Sequence, residues 1–415
     1  MISKRYLLFL LDLLNLKFSR INTMIKTANI RIKSIDMLRG LVMVIMALDH
    51  VRDYFHYDAF LFNPTDLAQT NGALFFTRFI THYCAPVFVF LAGTSAFFVG
   101  QRKGLKYLSK WLLKRGFWLI FLELTVIKFA WLFKFDLSYS LLQVIWILGV
   151  AMIFLAGFVH LPKRVVLIVS VLVIAGHNLF DSFAPTGNLS AGIWSFLHEF
   201  KLLTYGDMKI FVAYSILPWA FVMPLGYYFG ELYKQRFDSK TRTKILLQIG
   251  SGLITAFLIL RVMNCYGDPY LWTSHDSWSY TAMSFFKVTK YPPSLLYLLI
   301  TLGPSIMLLA FAEKWKGWVF NKLVIIGRVP MFFYIVHIYV IHLLALFAAV
   351  LTGFKASDMY VDLWVTMQPG LQGYGFNLGI VYGIWVLLIV ALYPLCAWFD
   401  NYKSNHREKW WLRYL

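Results

Sequence analysis

The chain has 415 residues, 60% of them hydrophobic and only 14% charged, whereas an ordinary soluble domain is about 45–50% apolar and about 25% charged. That composition excludes a string of soluble domains and describes an all-α, polytopic integral membrane protein. The net charge of +19 would suggest nucleic acid in a soluble protein, but here the position of each Lys and Arg along the chain accounts for it.

A spanning helix needs about 20 mostly apolar residues. The sequence predicts about ten, at roughly 35–55, 74–99, 111–133, 139–159, 164–182, 209–232, 243–264, 293–313, 325–351 and 376–399. Three regions follow: an N-terminal cytoplasmic or interfacial segment over 1–33, a transmembrane domain over 34–400, and a basic cytoplasmic tail over 401–415. Residues 1–23 form a short amphipathic stretch interrupted by Asp12, to which no function attaches. With the N-terminus inside, the alternating loops put most Lys and Arg on the cytoplasmic side. The outer loops then hold only Lys134, Lys201, Lys209, Lys287, Lys290 and Lys355. This bias orients both termini to the cytoplasm, gives an inner-membrane, multi-pass protein and removes the need for a nucleic-acid partner. The long outer loops (56–73, 183–208, 265–292, 352–375) carry Trp and His residues and read as binding structures.

Charged groups inside a span cost about 2.5–3.5 kcal/mol each and mark candidate sites. The first span carries Asp36, Arg39, Asp49, His50, Arg52 and Asp53. Arg39 and His50, eleven residues apart, share one face at roughly 16 Å. Asp36 with Arg39, and His50 with Asp53, are three apart and within reach. Arg78 and His82 share a face of the second span, and Tyr334, His337 and His342 lie on the ninth. His177 and His342 read as packed residues bonded to neighbouring helices. His337 and His342 point to different faces, and Cys84, Cys265 and Cys396 have no ligand spacing, so no metal is expected. Imidazole is suited to moving a proton near neutral pH. Histidines in a bundle with basic residues at the inner mouth suit group transfer across the membrane. They suit equally a proton-coupled transporter or exporter of a small metabolite.

The motifs SIDMLRGLVMVIMALDH (34–50) and APVFVFLAGTSAF (85–97) resemble the start of the catalytic domain of the heparan-α-glucosaminide N-acetyltransferase family. LLKRGFWLIFLELTV, QVIWILG, YGDPYLW, KYPPSLLYLLITLGPS and GRVPMFFYIVHIYVIH are similar to its bacterial branch. The resemblance implies a membrane acyltransferase that takes an acetyl group from cytosolic acetyl-CoA to an amino-sugar or glycan acceptor on the far side, assisted by a histidine. Arg39, Lys114 and Arg115, with Asp36, are then the candidates for the CoA pyrophosphate. In the lysosomal members the catalytic histidine sits in the outer loop after the first helix. Here that loop carries His56-Tyr57-Asp58, while His82 precedes Pro86 by four residues. His50 is the first choice for the catalytic group, followed by His82 and His56, with Asp53 orienting His50. Asp49, Arg78, His337 and Tyr334 are candidates for acceptor binding. Beyond acyl-CoA, acceptor and lipid, the lipid-facing helices would support a homodimer.

Overall fold

A computed structural model describes residues 32–414, so the expected N-terminal segment falls, but for residues 32 and 33, outside the described residues. The fold is 71% helical. Helix α1 (Lys33–Phe55) has most of its side chains buried, Asp36, Asp49, Arg52 and Asp53 among them. Asn71 caps α2 (Gly72–Thr81) by accepting the Leu74 N–H at 3.0 Å, and α3 (Cys84–Lys103) follows almost directly. Helix α4 (Leu105–Leu122) continues through a π turn at Glu123–Ile127 into the short α5 (Lys128–Leu132). After strand β1 (Tyr139–Leu142) come α6 (Val144–Phe158), α7 (Lys163–Gly176) and α8 (Asn188–His198). A hairpin of β2 (Lys201–Tyr205) and β3 (Met208–Val212) leads to α9 (Trp219–Phe229) and α10 (Ser239–Met263). The chain closes with α11 (Trp278–Phe286), α12 (Leu295–Ala312), α13 (Trp318–Arg328), α14 (Pro330–Leu351) and α15 (Leu378–Asn405). Helix α15 carries on past residue 400, so the basic tail begins within it.

Among the described residues, six helical stretches are long and apolar enough to cross a membrane: 72–103, 163–180, 239–263, 295–312, 330–351 and 378–405. They differ in what they bury. Residues 295–312 and 72–103 are mostly enclosed, whereas 163–180, 239–263 and 378–405 turn apolar side chains such as Leu172, Val262 and Leu387 outward. In water such faces would be large apolar patches; against lipid they are the ordinary exterior.

Helices in lipid gain little from burying apolar surface against each other, so close backbone approach matters more. Four crossings here are made by glycine pairs: Gly40 with Gly327, Gly93 with Gly226, Gly116 with Gly149 and Gly250 with Gly303. A Cβ on Gly93 would stand 1.9 Å from the Met223 carbonyl oxygen, and one on Gly226 would stand 2.0 Å from that of Phe90. No side chain larger than hydrogen fits at that separation.

The structure departs from the sequence reading in three places. The helix expected over 209–232 is strand β3 followed by α9, because Gly206, at φ 59, closes a tight hairpin turn between two short β-prone runs. Strand β1 occupies the first residues of the expected 139–159 helix and pairs parallel with β3, giving a three-stranded sheet of order β1-β3-β2. The fold is therefore helical with a small sheet added. The helix expected over 325–351 breaks at Val329-Pro330, where the proline cannot continue α13 but can begin α14.

Two buried ionisable side chains beside the π turn have structural partners. Glu123 Oε2 accepts the Trp146 N–H at 2.8 Å, one of the unpaired donors at the start of α6. Lys128 Nζ donates to the carbonyls of Asp136 and Tyr139 at 2.7 and 2.8 Å.

Candidate functional site

The C-terminal half of α1 and the last turn of α2 build a buried charge cluster. Arg78 Nη1 donates to both Asp49 oxygens, at 2.7 and 2.6 Å, and Thr81 Oγ1 donates to Asp49 Oδ1 at 2.9 Å. Arg52 Nη2 lies 2.9 Å from Asp49 Oδ1 and 2.5 Å from Asp53 Oδ1. Two carboxylates thus meet two guanidiniums. Burial of this kind is tolerable only when charges are paired and hydrogen-bonded. The field of Lys290, on the segment before α12, also reaches Asp49, His50 and His82.

Asp53 does not orient His50, contrary to expectation, because the adjacent guanidinium of Arg52 takes its carboxylate. The hydrogen bond of His50 goes to α14 instead, from Nδ1 to His337 Nε2 at 2.8 Å. The two rings lie within 18° of parallel with centroids 5.0 Å apart, as an edge-to-edge bond requires. His337 Nδ1 is 2.9 Å from the Phe333 carbonyl oxygen. A carbonyl only accepts, so His337 carries its proton on Nδ1 and offers a lone pair at Nε2. His50 must then donate from Nδ1, which leaves its Nε2 as a bare lone pair. Among the described residues no group bonds to that nitrogen. Trp131 packs edge-on against His50 at 4.8 Å and Tyr334 at 6.2 Å.

His82 follows directly after α2, with Arg78 four residues before it. Its Nδ1 is buried without a partner among the described residues, and its ring meets Tyr297 edge-on at 5.4 Å. His56 acts locally, accepting the Asp58 N–H on its Nδ1 at 3.2 Å and so capping a short 3-10 turn. Burial and the nearby Arg52 charge bring the His56 imidazole down to about 4. The nitrogens of His342 face the carbonyls of Ala130 and Met359 at 2.9 and 2.8 Å.

A second polar group sits at the opposite end of α1. Arg39 reaches Asp36 at 3.1 Å, the Gly327 carbonyl at 3.2 Å and Ser95 Oγ at 2.8 Å, joining the two motifs at 34–50 and 85–97. Arg115 is near enough to feel the Arg39 charge and packs its guanidinium over Trp111 at 5.5 Å. Lys114 faces outward and is exposed.

The structure thus brings Asp49, His50, Asp53, Arg78, Tyr334 and His337 to one end of α1 and Asp36, Arg39 and Arg115 to the other; His56 follows directly on α1 but its side chain caps the next turn, and Lys114 lies apart from both groups. Sequence reasoning missed Trp131, Thr81, Ser95 and Lys290. Only Ser95 and Lys290 lie within motifs that could have drawn attention to them.

Membrane-length apolar helices enclosing a buried, charge-paired histidine site define an integral membrane protein with a polar centre among its helices. The chain belongs to the heparan-alpha-glucosaminide N-acetyltransferase catalytic-domain family, whose pattern matches residues 31–262. Its function is accordingly of the membrane acetyltransferase type. No curated protein matches the chain. The match contains His50, His82, Arg78 and Arg39 but ends well before His337, the residue to which His50 is bonded.

Proposed function

We propose that this protein moves an acetyl group from acetyl-CoA to an amino sugar or glycan on the opposite side of the cell inner membrane, with His50 as general base. Ten spans with both termini in the cytoplasm would put Arg39 and Arg115 at the cytoplasmic end of α1 and His50 toward the outer end. The basic pair suits the CoA pyrophosphate, with Asp36 holding Arg39 in place and Lys114 at the approach. The thioester would reach His50 on a long flexible arm, about 16 Å along the helix.

The observation that carries this reading is the free Nε2 of His50, its tautomer dictated by His337 and the Phe333 carbonyl. A positioned base takes the proton from the acceptor amine or hydroxyl as that group attacks the thioester carbonyl. The imidazolium so formed can return the proton to the departing CoA thiolate. Asp49 and Arg78 are the polar groups best suited to hold the acceptor, and Tyr334 lies against the base as a further contact. His82, near the same charges, is the alternative base.

Acetyl transfer from labelled acetyl-CoA to a panel of amino sugars, measured in membranes holding wild type, His50→Ala and His82→Ala, tests the assignment. Loss of transfer in His50→Ala with retention in His82→Ala is the expected result. Wild-type rates in His50→Ala would overturn it.

A further inference from the structure

Helices α7 and α8, which contribute nothing to the His50 cluster, hold a second constellation. His177 is 2% exposed, yet neither of its ring nitrogens has a hydrogen-bond partner among the described residues. His198, the last residue of α8, is 3% exposed; its Nε2 lies 2.9 Å from Asp181 Oδ1 and its Nδ1 is unpartnered among the described residues. The ligand atoms that His177, Asp181 and His198 offer all lie within 4.8 Å of one another. The two imidazole rings meet at 74° with centroids 5.4 Å apart.

A buried imidazole with both nitrogens unmatched loses its hydration without gaining a protein partner, which is costly. A partner that uses the lone pair of His177 would remove part of that cost, and the neighbouring carboxylate supplies negative charge. We propose that His177, Asp181 and His198 form a binding site for a divalent transition-metal ion of the zinc type. Two imidazoles favour such an ion over magnesium or calcium, which prefer oxygen. Zinc bonds of about 2.0–2.2 Å set tetrahedral ligand atoms roughly 3.3 Å apart, so the group closes around an ion by small side-chain rotations.

The surroundings fit this use. His177 and Asp181 are one turn apart just beyond α7, while His198 arrives from the far end of α8 after a 16-residue excursion. Asn178 Nδ2 donates to Asp181 Oδ2 at 2.8 Å, an outer contact of the kind that orients ligating carboxylates. Asn178 Oδ1 accepts the Leu295 N–H at 2.9 Å, which ties the group to the start of α12. Asp181 is exposed, so a fourth position opens to water. The ion would staple α8 to the ends of α7 and α12.

The test uses untagged full-length protein in detergent, stripped with EDTA and titrated with Zn2+ and, separately, Mg2+. One Zn2+ bound per chain, a raised unfolding temperature with Zn2+ and no response to Mg2+ are expected. His177→Ala and Asp181→Asn should each weaken Zn2+ binding at least about 100-fold, since even outer-contact losses cost up to that much. Asp181→Asn keeps the size and shape of the side chain and leaves no cavity, so it carries the test if His177→Ala does not fold. His275→Ala, at an exposed histidine elsewhere, should bind as wild type does. Absence of stoichiometric Zn2+ binding, or binding unaffected by Asp181→Asn, would overturn the proposal and leave water as the partner of His177.

Discussion

His337 fixes the tautomer of His50 across a 2.8 Å hydrogen bond, and the Phe333 carbonyl in turn fixes His337. Two neutral imidazoles in series thus do what a carboxylate does for a catalytic histidine elsewhere: they hold one nitrogen protonated and the other bare. Removing the base, as in His50→Ala, should lower kcat by about 100- to 10,000-fold. Losing only the orienting partner, as in His337→Ala, should cost less. His337→Gln should recover part of the loss, because an amide oxygen can still accept from His50 Nδ1. Acetyl transfer at saturating acetyl-CoA measures all three. Equal activity in His337→Ala and wild type would remove the orienting role.

The opposite end of α1 should govern donor affinity. Arg115 makes a ring contact with Trp111 and lies close to Arg39, two positive charges held near each other at the proposed donor mouth. A hydrogen bond to a charged group contributes about 1.5–3 kcal/mol, which corresponds to roughly 10- to 100-fold in binding. Arg115→Gln should therefore raise KM for acetyl-CoA by about that factor while kcat stays within about twofold. Initial rates across an acetyl-CoA series separate the two parameters. A fall in kcat at unchanged KM would move Arg115 out of the donor site.

Much of this is legible in the sequence, and the limits have physical causes. Helical spacing relates Arg39 to His50 because both stand on one unbroken helix, and that relationship is local. It pairs His50 with Asp53, three residues on, and cannot reach His337, 287 residues away. Periodicity reports which face a residue occupies and never which helix lies opposite. The hairpin at 201–212 is hidden for a different reason: short apolar runs fit a strand or a helix equally until the turn at Gly206 is weighed. The meeting of His177, Asp181 and His198 depends on α8 folding back toward the end of α7, which no local spacing records.

His56 gives the protein a pH dependence outside the His50 cluster. Its imidazole is held at about 4, against a usual value of 6.5, so the unfolded chain binds a proton more readily than the fold does. Stability from this group is fully present above about pH 6.5 and is lost as pH falls toward about 4. His56→Gln should flatten the stability profile across that interval. Thermal unfolding at about pH 7.5 and about pH 5 checks it; identical pH sensitivity in the variant and wild type would assign the slope to other groups.

The Gly93–Gly226 crossing should be the least tolerant contact between α3 and α9. A Cβ at either position meets a backbone carbonyl oxygen, and backbone cannot rotate away as a side chain would. Overpacking ordinarily costs about 1–3 kcal/mol and occasionally more, and a backbone clash belongs at the upper end. Gly93→Ala should therefore lower the unfolding temperature more than Gly157→Ala, where an added Cβ meets nothing within 4 Å. The comparison controls for helix propensity, since alanine favours a helix at both positions by about 1 kcal/mol. Because α2 leads into α3, a shift at this crossing should also disturb Arg78 and its bond to Asp49, so transfer activity should fall with stability in Gly93→Ala but not in Gly157→Ala.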